Sequence, residues 1–251
     1  MRILSFNASN PNLHACLWDS DKVIAEQIII CDAVTNLSNK PSLDKSSLDK
    51  PSPGKASKSR EFAASLIIPT VADLLKKTGW QKSNIEAIAV GIGPGSFTGI
   101  RVAVVTARTL AQALSLPLLG INEFECYAFR EQIMQFPAAI LLSAGKSQYY
   151  CAHIDNSLLS DIEATLNNHQ INWDMTTHHL AEQDLQSHLA QFKKVLTPPT
   201  TDQAVIQATL TNYRLAQAVE SKQCLIEIFP YQLVKPLYIR NASITMSSTD
   251  R

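Results

Sequence analysis

The chain has 251 residues, 45% of them hydrophobic and 18% charged, a balance that fits a soluble globular protein of one large or two modest domains. Lysine plus arginine equals aspartate plus glutamate at 22 each, so no basic block is present to grip nucleic acid unaided. No run approaches the roughly 20 apolar residues of a membrane span, the start Met1 to Asn7 is too short in apolar residues for a signal peptide, and five scattered cysteines without a C-x-x-C read as reduced thiols rather than a disulfide frame or zinc site. The expected location is cytoplasmic, with no membrane contact.

In chain order, residues 2–30 read as a three-strand meander. Ile3 to Phe6 is the first strand, Asn7 to Asn12 a polar turn, Leu13 to Trp18 an alternating strand, and Val23 to Ile30 the third. Residues 33–59 repeat Ser-Leu-Asp-Lys and hold few apolar groups, so they are expected to form a low-complexity mobile insertion whose removal barely alters stability or assembly. Arg60 to Thr78 keeps helical spacing through Phe62, Leu66, Ile67, Val71, Leu74 and Leu75. Gly79 is its stop, and Pro69 predicts a kink or a restart. Ile85 to Val90 is an apolar strand and Ile100 to Leu114 a helix of small and apolar residues nearly all round, with Ala103, Ala107 and Ala111 at i, i+4 and i+8. Such a helix is covered on more than one side, either within its own domain or partly by a partner. Further on, Pro137 to Leu142 and Gln148 to Ile154 read as strands, His179 to Phe192 as a helix, Val195-Leu196 as a short strand, and Asp202 to Val219 as a helix.

Four of the eight glycines, Gly91, Gly93, Gly95 and Gly99, fall within nine residues between the apolar strand and the small-residue helix. A strand, a Gly-rich loop and a helix N-terminus together aim backbone N–H groups at an anion. The segment lacks the Lys-Ser/Thr pair of a Walker loop and the third glycine of a dinucleotide fingerprint, and Pro94 stiffens it. Gly93, Gly95, Ser96 and Thr98 are the candidate nucleotide or phosphate residues, with Ser96 or Thr98 as N-cap. A tight packing turn without ligand is the equal alternative. Six histidines show neither H-x-x-x-H nor H-E-x-x-H, no Ser/His/Asp order stands out, and no catalytic or metal-ligating residue is assigned.

The segment from Ile85 to Ile121, with Gly91-Ile-Gly-Pro-Gly-Ser-Phe-Thr-Gly99 at its heart, closely resembles the TsaB (YeaZ) family. Pro236-Leu-Tyr-Ile-Arg240 resembles that family's terminal P-x-Y-x-R, and the hairpin from Ile3 to Trp18 its first two strands. The resemblance is strong over residues 85–121, moderate at the ends and thin between about 145 and 225. It implies an α/β actin-like, Hsp70-like, sugar-kinase (ASKHA) fold with a reduced second lobe: residues 1–121 as the N-terminal lobe and 122–251 as the smaller lobe. Three polar features of the family are absent. Its I-D-T-S stands here as Phe6-Asn7-Ala8-Ser9, its D-A-R as Ser143-Ala144-Gly145, and its H-S-E as Ala63-Ala64-Ser65.

The resemblance implies a non-catalytic scaffold in the synthesis of threonylcarbamoyladenosine (t6A) on tRNA. Its partners would be a TsaD-type catalytic subunit and a TsaE-type ATPase, a TsaC-type enzyme would supply the adenylate, and tRNA would be met only through the complex. It needs no cofactor of its own; ATP and a divalent metal belong to the partner subunits. Alone, the chain is expected to form a homodimer. Docking is expected through the two N-terminal-lobe helices, on Phe62, Leu66, Ala103, Ala107 and Ala111. The competing functions are an independent ATPase or sugar-kinase-like phosphotransferase on the Gly91–Gly99 loop, disfavoured by the neutral Asn7, and a peptidase, disfavoured by the histidine pattern.

Overall fold

The meander forms as its alternation requires: β1 (Arg2–Asn7), β2 (Leu13–Asp19) and β3 (Lys22–Ile29) are successive antiparallel strands. A computed structural model describes residues 1–9, 12–20, 22–29, 65–131, 137–145, 148–154, 177–197, 203–220 and 224–239. The 33–59 insertion, Phe62 and Arg240 lie outside the described residues.

Next come α1 (Ile67–Thr78), β4 (Ala87–Gly93), α2 (Phe97–Leu114), β5 (Leu118–Asn122) and α3 (Glu123–Glu131). Strand β4 pairs parallel to β1 and β5 pairs parallel to β4, giving a five-stranded mixed sheet in the order β3-β2-β1-β4-β5. Helix α1 begins at Ile67, so Pro69 falls in its first turn, where a missing N–H breaks no intrahelical bond; no kink is needed. Gly79, at φ 72°, ends the helix in the left-handed conformation.

The second half builds β6 (Ala138–Gly145), β7 (Gln148–Ile154), β8 (Thr177–Ala181), α4 (Glu182–Leu189), β9 (Lys194–Leu196), α5 (Gln203–Glu220) and α6 (Leu225–Ile228). Its sheet runs β8-β7-β6-β9, with β9 parallel to β6 and the other pairs antiparallel. The helix expected from His179 is therefore a strand followed by a shorter helix.

The two faces of the first sheet carry separate cores. Leu4, Phe6, Leu13, Leu17, Ile88 and Val90 meet α1 and α2 in one cluster. Ile3, Cys16, Ala87 and Ala89 face Ala204, Ala208, Leu215 and Ala218 of α5 in another. A helix from the second half of the sequence thus covers the first sheet, so a boundary at 121/122 separates the sheets but not their layers. A buried ion pair from Arg214 on α5 to Glu125 on α3 pins this helix, and burial pulls the guanidinium down to about 9.

Ala103, Ala107 and Ala111 are fully buried against the chain's own sheet. Their methyls let α2 lie close to β4, and none reaches a partner. This corrects the expected interface: the stripe is a packing face of the monomer. Leu66 is half-buried against the same core. Ala107→Arg is therefore expected to unfold the protein, by more than about 4 kcal/mol, because it buries an unpaired charge. Thermal unfolding by circular dichroism checks this; a folded variant that merely loses self-association would restore the stripe to an interface.

Candidate functional site

Parallel β1, β4 and β5 carry their C-terminal ends to one edge of the first sheet, where ligands of open α/β sheets bind. Asn7 ends β1, Gly91–Gly93 end β4, and Glu123 opens α3 directly after β5. Asn7, Ser9 and Glu123 are all buried there. Asn7 Nδ2 donates to Glu123 Oε1 at 2.5 Å, and the Ser9 backbone N–H donates to Asn7 Oδ1 at 2.8 Å. Ser9 Oγ lies 2.7 Å from Asn7 Oδ1 and 2.8 Å from Glu123 Oε1.

Burial drives the Glu123 carboxyl from its ordinary 4.5 up to about 7, against the opposing pull of its bonds from Asn7 and Ser9. One hydroxyl hydrogen on Ser9 cannot serve two acceptors at once. A proton on Glu123 relieves that shortage, which agrees with the upward direction. On α5, Gln207 Oε1 accepts from Ser5 Oγ at 3.3 Å. Glu123 Oε2, Gln207 Nε2 and Thr211 Oγ1 are buried without a hydrogen-bond partner among the described residues.

The Gly-rich loop closes over this cluster. Ser96 caps α2, its Oγ accepting from Gly99 N–H at 3.3 Å, and its own N–H donates to the Ser9 carbonyl at 2.5 Å. A Cβ at Gly95 would stand 2.1 Å from Ser9 O, and one at Gly99 2.0 Å from Ala8 O. The loop glycines therefore admit the chain's own β1 end. Thr98 is exposed in the first turn of α2. The C-terminal segment locks the outside: Leu237 N–H donates to Ile92 O at 2.8 Å, and the Tyr238 ring packs on Phe97 at 4.9 Å.

Of the sequence-derived loop residues, Gly93, Gly95 and Ser96 meet at this edge. Glu123 was not foreseen, although Asn122 with Glu125 three residues on is a capping signature that marks the start of α3; Asn122 Oδ1 accepts from Glu125 N–H at 2.8 Å. Nor was the convergence of Cys151, His153 and His188 in the other sheet, whose sulfur and nitrogen atoms lie within 4.8 Å of one another. No helix among the described residues is long and apolar enough to cross a membrane.

The family model described as TsaD: tRNA N6-adenosine threonylcarbamoyltransferase matches residues 53–225. The chain is 43% identical over 56 residues to the tRNA threonylcarbamoyladenosine biosynthesis protein TsaB of Escherichia coli (strain K12), covering 22% of this chain and 24% of that protein. It is 38% identical over 106 residues to the probable mitochondrial tRNA N6-adenosine threonylcarbamoyltransferase of Arabidopsis thaliana, covering 40% and 22%. The chain thus spans less than a quarter of the length of either relative. Its fold matches that of YeaZ from Pseudomonas aeruginosa, with a TM-score of 0.59 at 17% identity over 95% of this chain and 99% of that one. The molecule is an actin-like α/β protein with two sheets. Within that class, the chain belongs to the family of the matching model, TsaD: tRNA N6-adenosine threonylcarbamoyltransferase, and is similar to TsaB over a shorter stretch.

The buried carboxyl gives a signed prediction. A raised value means that the folded state holds the proton more tightly than the unfolded chain. The stability it contributes is full below 4.5 and is lost as pH climbs through about 7. Glu123→Gln should then be more stable than the parent at pH 8, by up to about 3 kcal/mol, with the two converging near pH 4.5. Denaturant melts across that range test it; a variant no more stable at pH 8 would show that the site welcomes the carboxylate.

Proposed function

We propose that this chain is a non-catalytic scaffold or activator in threonylcarbamoyladenosine synthesis, docking to and stabilising a TsaD-type catalytic subunit. One observation carries the reading. The end of β1, where the resembled family's I-D-T-S would place an acid, is Asn7, and both ends of its amide are engaged by Glu123 and Ser9. A neutral, fully engaged amide supplies neither a base nor a charged metal ligand. The glycines beside it are filled by the chain's own carbonyls. ATP and the divalent metal of the reaction are then held by partner subunits, including a TsaE-type ATPase, and tRNA is met through the complex.

The docking surface is the outward side of α1 and α2. Val105 is 62% exposed and Ile68 51%, both large and apolar on helices whose opposite faces fill the core. The same face pairs two copies when the chain is alone and meets the TsaD-type subunit when that is present.

Reconstitution of t6A synthesis from TsaD-, TsaE- and TsaC-type proteins should require the added chain, which by itself should hydrolyse no ATP. ATP turnover that survives extensive purification and disappears in Asn7→Ala would favour the phosphotransferase reading instead. Val105→Arg should leave the circular dichroism melt within a few degrees of the parent while weakening association by at least about ten-fold, since a charge would face a desolvated partner. Sedimentation of the variant, alone and with the TsaD-type subunit, reads this directly; undiminished association would place the interface elsewhere.

A further inference from the structure

The second sheet carries a cluster that t6A scaffolding does not use. Cys151 and His153 stand two residues apart on β7, so both point to the same face. Strand β7 lies between β6 and β8, which gives these two residues a fixed frame. Against that face packs α4, through Leu185 and Leu189, with Phe192 just beyond it. His188, in the last turn of α4, reaches back to the strand. Its Nε2 lies 2.7 Å from His153 Nε2, and the sulfur of buried Cys151 completes a set in which all ligand atoms fall within 4.8 Å of one another. The Phe192 ring lies 4.6 Å from the His153 ring and limits its rotation.

We propose that Cys151, His153 and His188 form a zinc site that clamps α4 to β7. Two imidazole nitrogens and one sulfur converging on a point are the donors that Zn2+ selects; Ca2+ and Mg2+ require hard oxygen donors. A hydrogen bond between the histidines accounts for their approach but gives no reason for a thiol to join them. In a tetrahedral site the two nitrogens stand about 3.3 Å apart, so the imidazoles need only part slightly. Binding releases the Cys151 proton. Three protein ligands leave a fourth position for water or an exogenous donor.

The physical gain is local. Helix α4 has only eight residues and no side-chain cap at Ala181, and so short a helix is marginal without tertiary support. A metal bridging His188 to the strand supplies that support. The role is structural and separate from the metal of the t6A reaction.

The test uses the full chain, reduced, stripped with a chelator and titrated anaerobically with Co2+ as a coloured stand-in for zinc. The expected result is one equivalent bound, with a thiolate-to-cobalt charge-transfer band and tetrahedral d–d absorption, both abolished by added Zn2+, and a rise in Tm on zinc addition. Cys151→Ser should lose the charge-transfer band. His188→Gln should weaken binding by more than the roughly 10–100-fold that loss of an outer-shell partner costs. Cys224→Ser, which changes an exposed thiol, should bind as the parent does. A parent chain showing only the pale octahedral spectrum of the free ion would overturn the proposal. So would a charge-transfer band that survives Cys151→Ser or vanishes in Cys224→Ser. The parent titration decides the matter even where a variant folds poorly.

Discussion

Everything at the functional edge depends on how closely the N-terminus of α2 approaches the end of β1. The Ser9 and Ala8 carbonyls occupy the space that a side chain at Gly95 or Gly99 would need. A hydrogen bond from Ser96 N–H to the Ser9 carbonyl holds the approach, while the Ser96 side chain caps α2 by accepting from Gly99 N–H. Gly91 extends the constraint to the other face, where a Cβ would stand 2.5 Å from Asn7 Nδ2 and 2.8 Å from Gln207 Nε2. The glycine cluster thus joins three layers, α2, the sheet and α5, at a single point. The C-terminal segment uses the same loop as its anchor, since Leu237 bonds to Ile92 and Tyr238 covers Phe97.

Small residues also serve close packing on both faces of the sheet. Ala103, Ala107 and Ala111 of α2 pack into the core on one side, while Ala87, Ala89 and Gly91 meet α5 on the other. Helix α5 brings polar groups with it. Gln207, Thr211 and Arg214 recur at helical spacing; Gln207 meets Ser5 and Arg214 meets Glu125. A polar seam therefore runs between an apolar helix and an apolar sheet. Buried polar groups demand partners, and Arg214 satisfies this by pairing with Glu125.

Much of this was legible in the sequence because it depends on local pattern. Alternation gave β1 to β3, the glycines marked the β4–α2 turn, and Gly79 marked the end of α1. What failed was inference about what lies opposite a surface. A stripe of alanines reads the same whether its neighbour is the chain's own strand or another protein, and only the fold shows that Ala103, Ala107 and Ala111 meet β4. Strand β8 was hidden because five residues, Thr177–Ala181, run straight into α4 and offer too short a stretch for a period to declare itself. The Cys151, His153 and His188 cluster joins positions 35 apart on a strand and a helix, a spacing that matches no metal motif. Glu123 was missed for a related reason: its importance comes from β5 lying beside β4, which places the start of α3 near the end of β1.

The pairing of Asn7 with Glu123 sets the chemistry of the edge. An acid at the tip of β1 would present charge towards the loop and the helix N-terminus. Here the tip is an amide, and the acid sits on α3, buried, held by Asn7 and Ser9 through one oxygen. With its carboxyl near 7, both the neutral and the ionised forms are populated at neutral pH. A group in that state is a poor fixed counter-charge but a good hydrogen-bonding node, because either form keeps its contact with the Asn7 amide. The edge therefore gains rigidity from the groups that in a phosphate site would be left open to solvent. The edge beneath α2 in turn holds the helix that carries Val105 outward, so the buried Asn7, Ser9 and Glu123 cluster supports the exposed face of that helix.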